Sequence, residues 1–187
     1  MFKYDLDPTS ELRILERRHA PAFLELVSTN RQYFGEWLGW ANTMTTVADA
    51  EAFIAAGLTR FAEDGLPRVG IWHNQQLVGG MLFFPLDRRL MSTEIGYWLA
   101  ESAGGQGLMV RATRALLEFV FDQLGLNRIG LNAVVENKRS RVVADRLGFT
   151  LEGVRRQTWT DGKRFADMAC YSLLASEWRS QHHEINA

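Results

Sequence analysis

A single cysteine, Cys170, occurs in the 187 residues of this chain. One thiol excludes an intrachain disulfide framework and a zinc site built from several thiolates. Nothing then requires an oxidising compartment. Long apolar runs are also missing. Stretches such as Met81 to Leu86 are among the longest, far short of the roughly 20 residues a membrane-spanning helix needs. The opening MFKYDLDPTSELRI has no apolar core of leader length and carries Asp5, Asp7 and Glu11 early, so the expectation is a cytoplasmic protein without a membrane partner. Neither charge sign dominates: 21 Lys and Arg face 22 Asp and Glu, for a net charge of -1. Such a chain has no global field to recruit nucleic acid, and no direct nucleic-acid binding is expected. The four histidines show no metal-ligand spacing. His19 and His73 are isolated and His182 and His183 lie near the C-terminus, so no metal is expected.

The composition that remains is 47% hydrophobic and 23% charged, close to the average of globular domains. The length suits a single domain over 1–187. Glu11 to Glu16 alternates like a strand. Pro21 opens a helix whose apolar stripe is Phe23, Leu26 and Val27. Tyr33, Phe34, Trp37, Leu38 and Trp40 crowd more aromatic surface together than one helix face needs. A helix follows Thr46 and stops at Gly65. Arg68 to Trp72 and Gln76 to Phe84 read as a hairpin around His73-Asn74-Gln75, and Thr93 to Ala100 as a further strand. After a glycine-rich interruption, Leu108 to Leu124 is amphipathic and ends at Gly125. A strand at Arg128 to Val135, a short helix at Lys138 to Leu147, and strands at Leu151 to Trp159 and Phe165 to Leu174 complete the order. The pattern predicts a mixed α/β fold, largely antiparallel at the front with one crossover in the middle.

ESAGGQGLMVRA is the most informative segment, since its glycines stand between a strand and a helix. Amides at a helix N-terminus point outward, and the helix dipole favours negative charge there. Glycines allow close approach of an anion. The physical reading is a phosphate or pyrophosphate site on the amides of about Gly104 to Met109; the bland reading is a tight turn. No Gly-Lys-Ser or Gly-Lys-Thr follows, and no simple parallel βαβ unit surrounds the segment, so neither a P-loop nor a dinucleotide fingerprint applies.

TEIGYWLAESAGGQGLM, followed by a helix, a strand and NKRSRVVADRLGFTLEG, resembles the GNAT superfamily of acetyl-CoA-dependent N-acetyltransferases. It is most similar to the Rim-type branch that acetylates the α-amine of ribosomal proteins. The likeness covers nearly the whole chain and is weakest over the first and last ten residues. It implies a twisted, mostly antiparallel sheet of six to seven strands, flanked by helices and splayed between the fourth and fifth. It implies acetyl-CoA as co-substrate, a primary amine as acceptor, and a possible homodimer. The cofactor set it implies is the loop Gly104, Gly105, Gln106, Gly107, Leu108 and Met109, the strand backbone at Tyr97, Trp98 and Leu99, and Asn137, Arg139 and Ser140. The loop departs from the family at Gly104, where relatives usually carry Gln or Arg, and at Met109.

Forming an amide from a thioester requires a neutral amine, donors for the developing oxyanion and a proton for the departing sulfur. An α-amine has a pKa near 8, so roughly a tenth is neutral at pH 7 and a weak base suffices. Asn137 and Ser140, three residues apart, share one helix face. Asn137 reads as an N-cap, a cofactor contact or both. The resemblance makes Ser140 the hydroxyl that protonates the sulfur. It also places a glutamate base at the position held here by Trp159, which cannot accept a proton. Glu94 matches the strand glutamate that serves as base in the histone-acetylating part of the superfamily. Trp37, Trp40 and Trp159 are either core or walls of the acceptor site. Two rival readings remain: acetylation of a small amine such as an aminoacyl-nucleotide or an antibiotic, and a non-catalytic CoA-binding sensor or scaffold.

Overall fold

The structure is a computed structural model and describes residues 3–183. Eight strands form one sheet in the order β1-β2-β3-β4-β5-β6-β8-β7. They are β1 (Lys3–Asp7), β2 (Ser10–Ile14), β3 (Val69–His73), β4 (Gln76–Phe83), β5 (Ser92–Leu99), β6 (Arg128–Val134), β7 (Thr150–Thr160) and β8 (Phe165–Leu174). All neighbours are antiparallel except β5 and β6, which run parallel. The helices are α1 (Ala20–Thr29), α2 (Arg31–Gly35), α3 (Gly39–Thr43), α4 (Val47–Asp64), α5 (Leu108–Glu118), α6 (Lys138–Arg146) and α7 (Ala175–His183).

Local chemistry sets most boundaries. Thr46 and Asp49 form a reciprocal cap at the start of α4: the Asp49 amide donates to Thr46 Oγ1 at 3.2 Å, and the Thr46 amide donates to Asp49 Oδ2 at 2.8 Å. Asn74 and Gln75, with φ of 48° and 65°, make the tight β3–β4 turn. One expectation is corrected: the sheet has eight strands rather than six to seven. β1 escapes notice because it is a short, largely exposed edge whose alternation rests on Tyr4 and Leu6 alone. It is folded back by Asp7, whose Oδ1 accepts from the amide and hydroxyl of Thr9, each at 2.8 Å. After β8 the chain continues as a helix, and Trp178 in it is buried against Phe121, ring centroids 5.7 Å apart.

The two sheet faces carry separate cores. α5, α6 and α7 bury Leu116, Ala144 and Trp178 against Ile71, Ile95, Leu131 and Tyr171 on one face. α1 to α4 bury Phe23, Phe34, Ala41 and Ile54 around Trp72 and Trp98 on the other. Alternation along β5 follows from the pleat: Ile95 and Tyr97 turn to the first face, and Trp98 to the second. The parallel pairing of β5 and β6 covers only Ser92–Glu94 against Arg128–Gly130. Beyond it β5 stays with β4 up to Leu99, and β6 stays with β8 up to Val134. A wedge therefore opens between the two parallel strands, at the position expected for the splay.

Candidate active site

The chain leaves β5, makes one tight turn at Glu101–Ala103, and enters α5 through Gly104–Gly107. Gly105 and Gly107 take φ of 80° and 69°, a region costly for residues with a Cβ. No side chain caps α5, so its first-turn amides stay open for an anion. A Cβ placed at Gly105 would meet nothing within 4 Å. The loop is held from behind: Arg111 Nη1 donates to the Gln106 carbonyl at 2.9 Å, and its Nη2 to Asp7 Oδ2 at 3.0 Å. Hydrogen bonds from Thr9, above all from its amide, hold the Asp7 carboxyl well below the usual carboxylate range.

A cavity of about 630 Å³ runs from this loop into the wedge. Gly104, Gly105, Gly107, Leu108 and Met109 line one end; Tyr97, Trp98 and Leu99 line the β5 wall; Asn137, Arg139 and Ser140 line the α6 wall; and Trp37 lines the α2 side. Gln106 is outside the lining, and the loop uses its carbonyl as the anchor for Arg111. At the α6 wall, Asn137 Oδ1 accepts from the Ser140 amide at 3.1 Å, so the asparagine is a helix cap. The Ser140 hydroxyl meets the Tyr97 hydroxyl at 3.0 Å. Arg139 reaches across the mouth, donating to the Tyr33 hydroxyl at 3.0 Å and lying 3.6 Å from Glu101. Both Arg139 and Glu101 are largely exposed, so this pair contributes little to stability. A second cavity of about 590 Å³ adjoins the first and adds Glu36, Glu101, Glu136 and Lys138 to Trp37 and Tyr33.

Three expected residues lie elsewhere. Glu94 is exposed at the closed end of the wedge, where the Asn132 amide donates to its Oε2 at 2.8 Å across the gap. It faces a separate cavity of about 310 Å³ shared with Phe84, Asp87 and Arg128. By the pleat it projects to the face opposite Ile95 and Tyr97, away from α6. Trp40 packs among Phe23, Phe53 and Trp98, with centroids 5.0 to 5.9 Å away. Trp159 sits near the tip of the β7–β8 hairpin under the Arg164 guanidinium, 5.6 Å from the ring centre. Tyr33, Arg111 and Asn30, whose Oδ1 accepts from the Glu101 amide at 3.3 Å beside the second cavity, go unassigned in the sequence. Only the aromatic crowding before Trp40 signals the first. Among the described residues no three His, Cys, Asp or Glu gather into a metal-binding group.

The acetyltransferase (GNAT) domain family matches residues 11–150. "Putative ribosomal N-acetyltransferase YdaF" of Bacillus subtilis (strain 168) is 32% identical over 182 residues, 97% of this chain and 100% of the relative. The chain belongs to the GNAT acetyltransferases.

The ribosomal-protein-serine acetyltransferase of Escherichia coli (strain K12) is 26% identical, with 88% of this chain and 92% of the relative covered. A solved RimL ribosomal L7/L12 α-N-protein acetyltransferase in complex with coenzyme A superposes with a TM-score of 0.89 at 25% identity, covering 94% of this chain and 99% of that one. As a GNAT acetyltransferase the chain is an acyltransferase that uses acetyl-CoA. The uncapped α5 amides, the left-handed glycines and the cavity leading from them into the wedge are the features a diphosphate on a slender thioester arm requires. No helix among the described residues is long and apolar enough to cross a membrane.

Proposed function

We propose that this protein transfers the acetyl group of acetyl-CoA to the N-terminal α-amine of a protein or peptide of the ribosomal type. It acts in the cytoplasm as one catalytic domain over residues 1–187. The observation that carries this reading is the open wedge between β5 and β6, with the Ser140 hydroxyl on one face and the Glu94 carboxylate on the other. Acetyl-CoA, when bound, supplies an activated acyl carbon and a sulfur leaving group. The loop Gly104–Met109 and Arg139 hold its phosphates, and the free edge of Tyr97–Leu99 aligns its arm. Ser140 holds a proton at Oγ for the sulfur. Glu94, braced by Asn132, takes a proton from the incoming amine through water. The ammonium loses two protons on becoming an amide: one leaves to solvent by way of Glu94 before attack, and the second, released from the nitrogen after attack, replaces the one Ser140 gives to the sulfur.

The acceptor class is supported by the Escherichia coli relative, named a ribosomal-protein-serine acetyltransferase, and by the Bacillus subtilis relative, named a putative ribosomal N-acetyltransferase. The carboxylates Glu36, Glu101 and Glu136 around the second cavity suit a cationic ammonium group. Trp37 walls that cavity, and Trp159 offers a flat surface at the hairpin tip. Pairing of two copies belongs to the same proposal. Leu151, Val154 and Phe165, the last 70% exposed, are the apolar surface available for it, and sedimentation of the purified protein tests it.

The deciding experiment is an amine screen with mass detection of the acetylated product. It should include N-terminal peptides, aminoacyl-adenylate analogues and small amines, with Gly107→Trp as the control that blocks the loop. Peptide α-amines acetylated by the parent and not by the variant support the proposal. Transfer confined to small amines would replace the acceptor. Tight acetyl-CoA binding with no transfer to any amine would make the chain a sensor.

A further inference from the structure

We infer that Tyr97 is a positioning residue for Ser140: its phenol holds the serine hydroxyl toward the cleft and donates to Oγ as that oxygen gives up its proton. The inference rests on the reading of Ser140 as the acid. It starts from a contact between two elements on either side of the wedge. The Tyr97 hydroxyl, carried by β5, lies 3.0 Å from Ser140 Oγ and 3.0 Å from the Ser140 carbonyl oxygen, both carried by α6.

The phenol has one proton and two acceptors on the same residue, each 3.0 Å away. The carbonyl already accepts one bond from the amide four residues on and keeps a second lone pair; the phenol's proton is assigned to Oγ when that oxygen gives up its own. With the phenol donating to Oγ, the serine's own proton is free to point into the cavity that Ser140 lines. An isolated serine hydroxyl is a poor acid. A donor bond to Oγ offsets the charge that builds there, and in a site shielded from water that bond is strengthened. Asn137 fixes the Ser140 amide at 3.1 Å, so the cap sets the backbone and the phenol sets the side chain. Burial raises the Tyr97 phenol above its ordinary value and keeps it protonated as a donor. From β8, Tyr171 faces the same phenol and is itself held by Arg141 Nε at 2.9 Å. In the step itself the Oγ–H bond breaks and an S–H bond forms. Oγ is then reprotonated from the protons the amine releases.

The test uses Tyr97→Phe, Ser140→Ala and the double variant, with binding and turnover read separately. Calorimetry compares CoA with desulfo-CoA between about pH 6 and 9, across the ordinary thiol range. A donor at the sulfur makes the parent prefer CoA increasingly as the thiol ionises. Ser140→Ala is expected to abolish that preference, and Tyr97→Phe to remove at least about threefold of it. In turnover, Tyr97→Phe is expected to lower kcat about tenfold with the acetyl-CoA KM within about twofold, and to add nothing to Ser140→Ala. If Ser140→Ala keeps the parent's preference, the acid reading fails. If Ser140→Ala loses it while Tyr97→Phe keeps it, only the role of Tyr97 falls. A further loss of turnover in the double variant would likewise make Tyr97 merely structural and overturn the inference. Should Tyr97→Phe fold poorly, 3-fluorotyrosine at position 97 keeps the ring and the donor. It is expected to retain the preference, and losing it would overturn the proposal.

Discussion

Glu94 shares its small cavity with Phe84 and Pro85, and the hydrogen bond from Asn132 aims its carboxylate over the gap between the parallel strands. If it takes the amine proton, Glu94→Gln lowers kcat about tenfold near pH 7. The deficit shrinks as pH rises past the α-amine pKa near 8, because the acceptor then arrives neutral. A pH profile of kcat for both proteins checks this, and a deficit constant across pH would remove the role. At Gly80 the constraint is steric. A Cβ there would overlap the Trp98 ring and lie 2.9 Å from the Val69 carbonyl oxygen. Gly80→Ala is expected to cost about 1–3 kcal/mol, read as a fall in Tm of roughly 2–4 °C per kcal/mol for a chain of this size. Glu94 is singled out by its resemblance to a strand glutamate of the family, whereas Gly80 sits in the sequence as an ordinary glycine whose constraint only its cross-strand partner reveals.

Among the elements, α5 with its entering loop shows how far local pattern reaches. Glycines after a strand and before an amphipathic helix announce an anion site in one dimension, because dihedral freedom and uncapped amides are local properties. The brace behind that loop is not local. Arg111 is one turn inside α5 and its partner Asp7 ends β1, 104 positions away. Arg111→Ala is expected to raise the Kd for acetyl-CoA several-fold, since an unbraced loop loses more freedom on binding. The Tm should move by less than about 1–2 °C, because the ion pair itself is solvent-exposed. Calorimetry and thermal melts on the same samples separate the two effects. α5 also widens into a π-helical turn at Phe119–Gln123, which the 3.6-residue apolar spacing conceals.

For the whole molecule the decisive feature is the incomplete pairing of the central parallel strands. A ligand lying in the wedge touches elements from both halves of the sheet, so binding stabilises the folded state as a unit. At a concentration about 100 times its Kd, acetyl-CoA should add about 2.7 kcal/mol. That corresponds to a rise in Tm of roughly 5–10 °C at the size scaling above. The rise should vanish in Gly107→Trp, whose bulky side chain blocks the loop. An equal rise in that variant would place the ligand elsewhere.

The order of the strands from β2 to β8 with α1, α4, α5 and α6 between them, the capped α4, the β3–β4 turn and the glycine entry to α5 follow from the sequence alone. Each depends on residues within a few positions of one another, where dihedral preference and periodicity act. The tertiary structure decided the rest. β1 and α7 exist because a sheet edge and a buried Trp178 give them partners. Ser140 lines the wedge, and Glu94 stands at its closed end, because β5 and β6 part after three residue pairs. Tyr97 meets Ser140 for the same reason. Such meetings depend on chain closure over long separations, and no local propensity encodes them.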